Sequence, residues 1–186
     1  MEPEMTALAK NLPRYTWEDY RLWEGRWELI EGVPYAMAPL PSFEHQIVSG
    51  RIHVELVRAL EGCPHCVALL PVDWKIDEHT VVQPDNLVVC GQLPPNPPLE
   101  KAPILIFEVL FPSTILKDRN LKFRLYERAG VKYLVLVDPA VSEAEIFELK
   151  EGQYALYRKV RDEKVCFDLG ICEIEFDFGK IFLGGR

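Results

Sequence analysis

At 186 residues with 48% hydrophobic content, the chain can bury one sizeable core but is short for two full domains, so residues 1–186 are read as a single domain. Its formal charge of −8, from 29 acids against 21 bases, argues against broad, unaided adhesion to nucleic acid, because phosphate binding is dominated by basic contacts. What remains open is a basic face of limited extent, or a bound metal that supplies positive charge locally.

The first ten residues, Met1 to Lys10, show neither the basic first region nor the apolar run of a signal peptide, and no stretch approaches the length of a membrane span. A cytoplasmic protein without membrane contact is therefore expected. Residues 15 to 24 read as a short helix capped by Thr16, with Asp19 three residues on in an approximate capping box. Its aromatic residues, with Trp27, are expected to pack a small amino-terminal unit. Trp27 to Met37 reads as a hairpin turning near Glu31-Gly32. From Glu44 to about Glu61, Ile47, Val54 and Val57 together with Val48, Ile52 and Leu56 make a broad apolar stripe at helical period, which predicts a core-facing helix.

Gly62-Cys63-Pro64-His65-Cys66 ends that helix. A zinc reading of the Cys-x2-Cys pair lacks a second such pair, and Cys90, Cys166 and Cys172 have no zinc-finger spacing, so an ordinary turn is expected. Five cysteines, an odd count at irregular spacing, do not suggest a disulfide framework. Three strands follow, at about 67–76, 81–90 and 104–110, with a proline-rich loop before the third. A second helix from about Lys117 to Ala129 carries Leu121, Leu125 and Ala129 on one face and stops at Gly130. The all-apolar strand Tyr133 to Asp138 comes next, and a helical crossover lays it parallel to the third strand. Meandering strands at 144–149, 154–160 and 166–176 complete the chain.

The most informative residue is Glu108. It interrupts Ile104-Leu105-Ile106-Phe107-Glu108-Val109-Leu110, a run otherwise fit for burial on both faces, where an ionised carboxylate is costly unless something cationic meets it. Asp85 stands in a comparable strand upstream, and Lys122 lies in the basic segment downstream. Two acids on neighbouring strands with a lysine close by are the minimum kit for a divalent metal and a nucleophilic water. Each has a plainer reading: Asp85 as a strand-edge acid bonded to backbone, Glu108 as an ion-pair partner of Lys122 or Arg124, and His45 as a solvated neighbour of a helix cap.

From residue 44 to about 138 the order is helix, three strands, helix, strand, with a mixed sheet. Trp27-Glu28-Leu29-Ile30-Glu31-Gly32, His45, Val82-Gln83-Pro84-Asp85, Phe107-Glu108-Val109-Leu110-Phe111-Pro112-Ser113-Thr114, and Asp118 with Lys122-Phe123-Arg124-Leu125-Tyr126-Glu127-Arg128-Ala129-Gly130-Val131 carry a resemblance through most of the chain. On these residues the sequence resembles the Uma-type family of restriction-endonuclease-like proteins, within the PD-(D/E)XK nuclease superfamily. The resemblance implies an α+β, restriction-endonuclease-like core with an amino-terminal hairpin extension and carboxy-terminal strands. It departs from the superfamily pattern at Leu110, where the motif has lysine; in the Uma-type family that lysine is moved to the following helix, here Lys122.

The same resemblance implies an endonuclease that hydrolyses DNA phosphodiester bonds with Mg2+ or Mn2+ held by Asp85, Glu108 and the backbone carbonyl of Val109. Lys122 orients the attacking water and offsets charge on the phosphorane. Glu28 completes the metal shell or holds Lys122, His45 contacts phosphate or a metal-bound water, and Gln83 bridges to the lysine or the substrate. A homodimer matching the twofold of a duplex follows by analogy. Two other functions fit the same residues: a nuclease-fold binding or regulatory module of weak activity, and a metal-dependent nucleotide phosphohydrolase.

Overall fold

The computed structural model describes residues 13–37, 41–112 and 117–183, with the main chain alone at 117 and 118. Ser113 and Thr114 of the strand-end motif lie outside the described residues. Along the chain come α1 (Trp17–Tyr20), β1 (Trp27–Ile30), β2 (Val33–Ala36), α2 (Phe43–Ala59), β3 (Cys66–Leu69), β4 (Trp74–Asp77), β5 (Thr80–Val82), β6 (Asn86–Cys90) and β7 (Leu105–Val109). A π-helical turn, Lys117–Lys122, leads into α3 (Phe123–Ala129), followed by β8 (Tyr133–Asp138), β9 (Glu143–Lys150), β10 (Gln153–Val160), β11 (Lys164–Asp168) and β12 (Glu173–Asp177).

The central sheet has six strands in the order β10-β9-β8-β7-β6-β3, antiparallel except for the β7–β8 pair. That one parallel pair follows from the crossover through α3, as the apolar run at 133–138 predicts. Alternate residues of β7 divide between two cores. Leu105, Phe107 and Val109 meet α2 and the β11–β12 hairpin, while Ile106, with Leu110 just beyond the strand, meets α3 and a second, four-stranded sheet, β2-β1-β5-β4. A near-continuous apolar run, broken in β7 by Glu108, is what a sheet covered on both faces calls for.

Four predicted elements differ from the observed ones for identifiable reasons. The strand expected at 67–76 breaks into β3 and β4, and that at 81–90 into β5 and β6, each pair split between the two sheets. Pro71 and Pro84 sit at the breaks, where a missing N–H ends a ladder cheaply. The broad stripe of α2 is only half buried: Val48, Ile52 and Leu56 face the sheet, but Ile47, Val54 and Val57 are exposed. At about 100° per residue these three lie well around the helix from Val48, outside a single contact face. The last expected strand, 166–176, is a hairpin.

The cysteines also depart from expectation. Cys63 is bonded to Cys172, and Cys66 to Cys90, while Cys166 is a free, exposed thiol. Sequence separations of 109 and 24 residues carry no local signal, and the partners meet only because β3 pairs with β6 and the carboxy-terminal hairpin folds back over α2.

Candidate active site

β6 and β7 pair with Asn86 opposite Phe107, a register that, continued by one step, sets Asp85 opposite Glu108. Glu108 occupies the α3 side of β7 and is 2% exposed, so its carboxylate needs partners inside the protein. It accepts from the Lys122 ammonium at 3.0 Å and from the Tyr126 hydroxyl at 2.6 Å, both at Oε1. The spacing of these donors, four residues apart, puts them on one side of a helical segment. Lys122 closes the π-helical turn, an irregularity that recurs at functional sites. It is 3% exposed, and its Nζ lies 2.9 Å from Glu28 Oε1, so one ammonium is shared by two buried carboxylates.

Glu28 reaches this point because β1 alternates its side chains. The β1–β2 hairpin turns on Glu31 and Gly32, with φ of 53° and 83°, the signature of a type I′ turn. A Cβ at Gly32 would stand 2.7 Å from Arg14 Cγ, a second reason for glycine there. Glu28 faces inward and is fully buried, and the backbone N–H of Gln83 donates to its Oε1 at 3.0 Å. Glu31, three residues on, is exposed and pairs with Arg128.

Asp85 follows Pro84 at the mouth of β6. Its Oδ2 accepts from the backbone N–H of Val109 at 2.8 Å and from His45 Nε2 at 3.2 Å. His45 stands in the first turn of α2, where Ser42 caps the helix by accepting from the His45 N–H at 3.1 Å. Asn86 anchors the same helix by donating to Ser49. Burial pushes the Asp85 carboxyl upward, but the His45 hydrogen bond and charge, the Lys122 charge and the Val109 N–H outweigh it and hold the group below the usual carboxylate range.

Of the residues named from sequence, Glu28, Glu108 and Lys122 share one buried cluster, and Asp85 and His45 form a pair at its edge. The side chain of Gln83 turns elsewhere. It donates to Asp73 Oδ1 at 2.7 Å, where the Tyr20 hydroxyl also donates at 2.7 Å, and only its main chain reaches Glu28. Sequence reasoning missed Tyr126 as a member of the cluster. The i,i+4 relation to Lys122 was the available signal. For Tyr126, burial first and the Glu108 charge second push the phenol well up, so it remains a proton donor to Glu108.

The donor set suits a hard dication. Glu28 and Glu108 share the Lys122 ammonium while Asp85 and His45 pair at the edge of the cluster, and carboxylate oxygens are the ligand type that Mg2+ or Mn2+ takes. A mixed sheet covered on both faces, with acids at the adjoining ends of two central strands and a lysine from the following helix, defines an α+β protein of the restriction-endonuclease-like class. Residues 17–167 match the Uma2 family, described as "Putative restriction endonuclease", and the chain belongs to that family. Among solved structures it is similar to one titled as a putative nuclease belonging to DUF820 from Anabaena variabilis, with a TM-score of 0.69 and 16% identity over 97% of this chain and 98% of that one. No curated protein matches the chain at a significant level.

Proposed function

We propose that this protein is a divalent-metal-dependent endonuclease that hydrolyses DNA phosphodiester bonds. The observation that carries the reading is the Lys122 ammonium held between two buried carboxylates, 3.0 Å from Glu108 and 2.9 Å from Glu28, beside Asp85. A purely structural lysine at this depth is expensive to desolvate and is readily replaced by apolar packing, whereas one held between carboxylates beside Asp85 can serve a charge that develops there. Family membership supports the same direction.

Asp85, Glu108 and the Val109 carbonyl would hold Mg2+ or Mn2+. When bound, the ion polarises the scissile phosphate and lowers the pKa of a coordinated water. Lys122 positions that water and offsets negative charge on the phosphorane. Glu28 fixes the ammonium so that it does not swing away, and Tyr126 fixes the Glu108 carboxylate through the same Oε1. His45, held against Asp85, is set to contact a phosphate oxygen at the helix N-terminus. A twofold dimer would give each strand of a duplex its own cleft.

Incubation of supercoiled plasmid with the purified protein tests this directly. Nicking is expected with Mg2+ or Mn2+ and not with chelator, and Asp85→Asn and Glu108→Gln are each expected to lower it at least about a hundredfold, the scale at which one transition-state stabiliser acts. If both variants fold and bind Mn2+ like the wild type, the metal assignment fails. Mononucleotide hydrolysis without plasmid cleavage would instead mark a nucleotide phosphohydrolase. Binding of DNA with no cleavage under any metal would mark a binding module.

A further inference from the structure

We propose that Cys63, Cys66, Cys90 and Cys172 form one tetrathiolate site for Zn2+ in the reduced protein, and that the two disulfides are the oxidised, metal-free form of that site. The sulfurs of Cys63, Cys66 and Cys172 lie within 4.8 Å of one another, and Cys90 is bonded to Cys66, so four sulfurs from three chain segments occupy one small volume. A tetrahedral ion with metal–sulfur distances of about 2.3 Å spaces its ligands about 3.8 Å apart, which this cluster accommodates once the sulfur–sulfur bonds are cleaved.

The local structure favours convergence on one point. The Cys66 N–H donates to the Cys63 carbonyl at 3.0 Å, closing the Cys-Pro-His-Cys turn with both thiols presented together. Yet these two neighbours are not bonded to each other; each is bonded to a distant segment, Cys172 before β12 and Cys90 at the end of β6. Cys66 and Cys90 are direct register partners with Cα atoms 3.9 Å apart. Cys63 and Cys66 are buried, Cys90 and Cys172 partly so, which leaves a path for an ion while closing four positions around it. Lys101 donates its ammonium to the Cys90 carbonyl, placing a cation beside a site that would carry two negative charges.

The chemistry balances with a dithiol as reductant. Two dithiol molecules reduce the two disulfides, each leaving as a cyclic disulfide and giving four protein thiols. One Zn2+ then displaces four protons. With four protein ligands and no open position the ion would be structural, tying the end of α2, the β3–β6 edge and the β11–β12 hairpin together. That hairpin matters for the core, because Phe167, Phe176 and Phe178 pack on Phe107, the neighbour of Glu108. The site stands about 17 Å along β6 from Asp85, at roughly 3.3 Å per residue, so it is separate from the carboxylate cluster.

The test uses the whole chain, reduced with a dithiol, desalted without oxygen and titrated with Co2+ in excess Mg2+. One equivalent per chain is expected, with the visible bands and sulfur-to-metal charge transfer of tetrahedral thiolate coordination, displaced by one equivalent of Zn2+. Cys166→Ser should leave the bands intact, and Cys90→Ser and Cys172→Ser should each weaken or remove them. Because a variant can fail to fold, alkylation of wild type gives an independent reading by mass. With Zn2+ only Cys166 should be modified; without it, all five cysteines. Reduced wild type that takes up no Co2+, takes it up without thiolate bands, or is alkylated at all five cysteines despite Zn2+ would overturn the proposal.

Discussion

At its Asp85 end, β6 adjoins oxygen donors arranged around one buried ammonium; at its Cys90 end, a single strand-length away, it adjoins four sulfurs. The first cluster is assembled across neighbouring strands and one helical turn, and its members hold one another by charge. The second is assembled from the two chain halves and holds by covalent bonds or, in the proposed form, by a metal. The difference teaches that charge buried at a strand end must be compensated within reach, which makes it predictable, whereas thiols are small enough to be buried with no partner at all and announce nothing.

The strongest way to break that comparison is Lys122→Met. It removes the ammonium that Glu28 and Glu108 share, so unfolding in urea is expected to show a loss of about 3–5 kcal/mol. A loss below about 1 kcal/mol would show that the carboxylates are not held as charges at all. Arg124, two residues on and exposed, is the matched control and should change little.

Asp85 and Glu108 were legible because each stands as a lone acid in or beside an apolar strand, and a strand sequence carries its own face assignment. Lys122 was legible from the residues as a lysine in the basic segment downstream, but its place as the moved motif lysine came through the family resemblance, since nothing in the helix period alone selects it over Arg124. The parallel β7–β8 pairing came out of the order of elements, whereas the register that sets Asp85 opposite Glu108 did not. What was not legible had one cause, contacts whose two halves are far apart in sequence. Prolines at 71 and 84 mark breaks, but only the second sheet explains why β4 and β5 leave the first. The exposed face of α2 looked apolar enough for a core, and the count of neighbouring elements decided otherwise. Cys90 and Cys172 could not be linked to the 63–66 turn without knowing that β6 and the carboxy-terminal hairpin come to it.

Tyr126→Phe sharpens the carboxylate side without removing any charge. It deletes the 2.6 Å bond to Glu108 and keeps the ring that stacks near Trp74, so the expected destabilisation is about 1.5–3 kcal/mol, the range for a hydrogen bond to an ionised partner. Under the proposed mechanism, the same variant should lower turnover more than it raises KM, because its effect passes through the position of Glu108. An unchanged turnover with the stability loss intact would make Tyr126 structural alone.

A pH experiment follows from the tyrosines. Burial, the largest cause in each case, pushes the phenols of Tyr20, Tyr126, Tyr133 and Tyr154 upward. A folded-state pKa raised above the unfolded value of about 10 means stability is complete below that pH and is lost as pH climbs beyond it. Tyrosinate absorbance should therefore account for fewer than all seven tyrosines while the protein is folded, with the rest appearing together with alkaline unfolding. Full ionisation of seven in a single step near pH 10, with the fold retained, would contradict the buried cluster.

The smallest effect is expected at Arg128, and it tests whether position or mere pairing gives the buried cluster its weight. Glu28 and Glu31 sit three residues apart on one hairpin, and each has a cation, Lys122 at 2.9 Å and Arg128 at 2.6 Å. By distance the second pair is the closer. Its side chains are 62% and 54% exposed, however, so water and salt already screen both charges when the pair is broken. Arg128→Ala is thus expected to cost between about 0 and 1 kcal/mol, and less at high salt, against the several expected for Lys122→Met. Equal losses for the two substitutions would mean that burial does not amplify the Lys122 interaction, and the physical argument for a poised lysine at this site would fall with it.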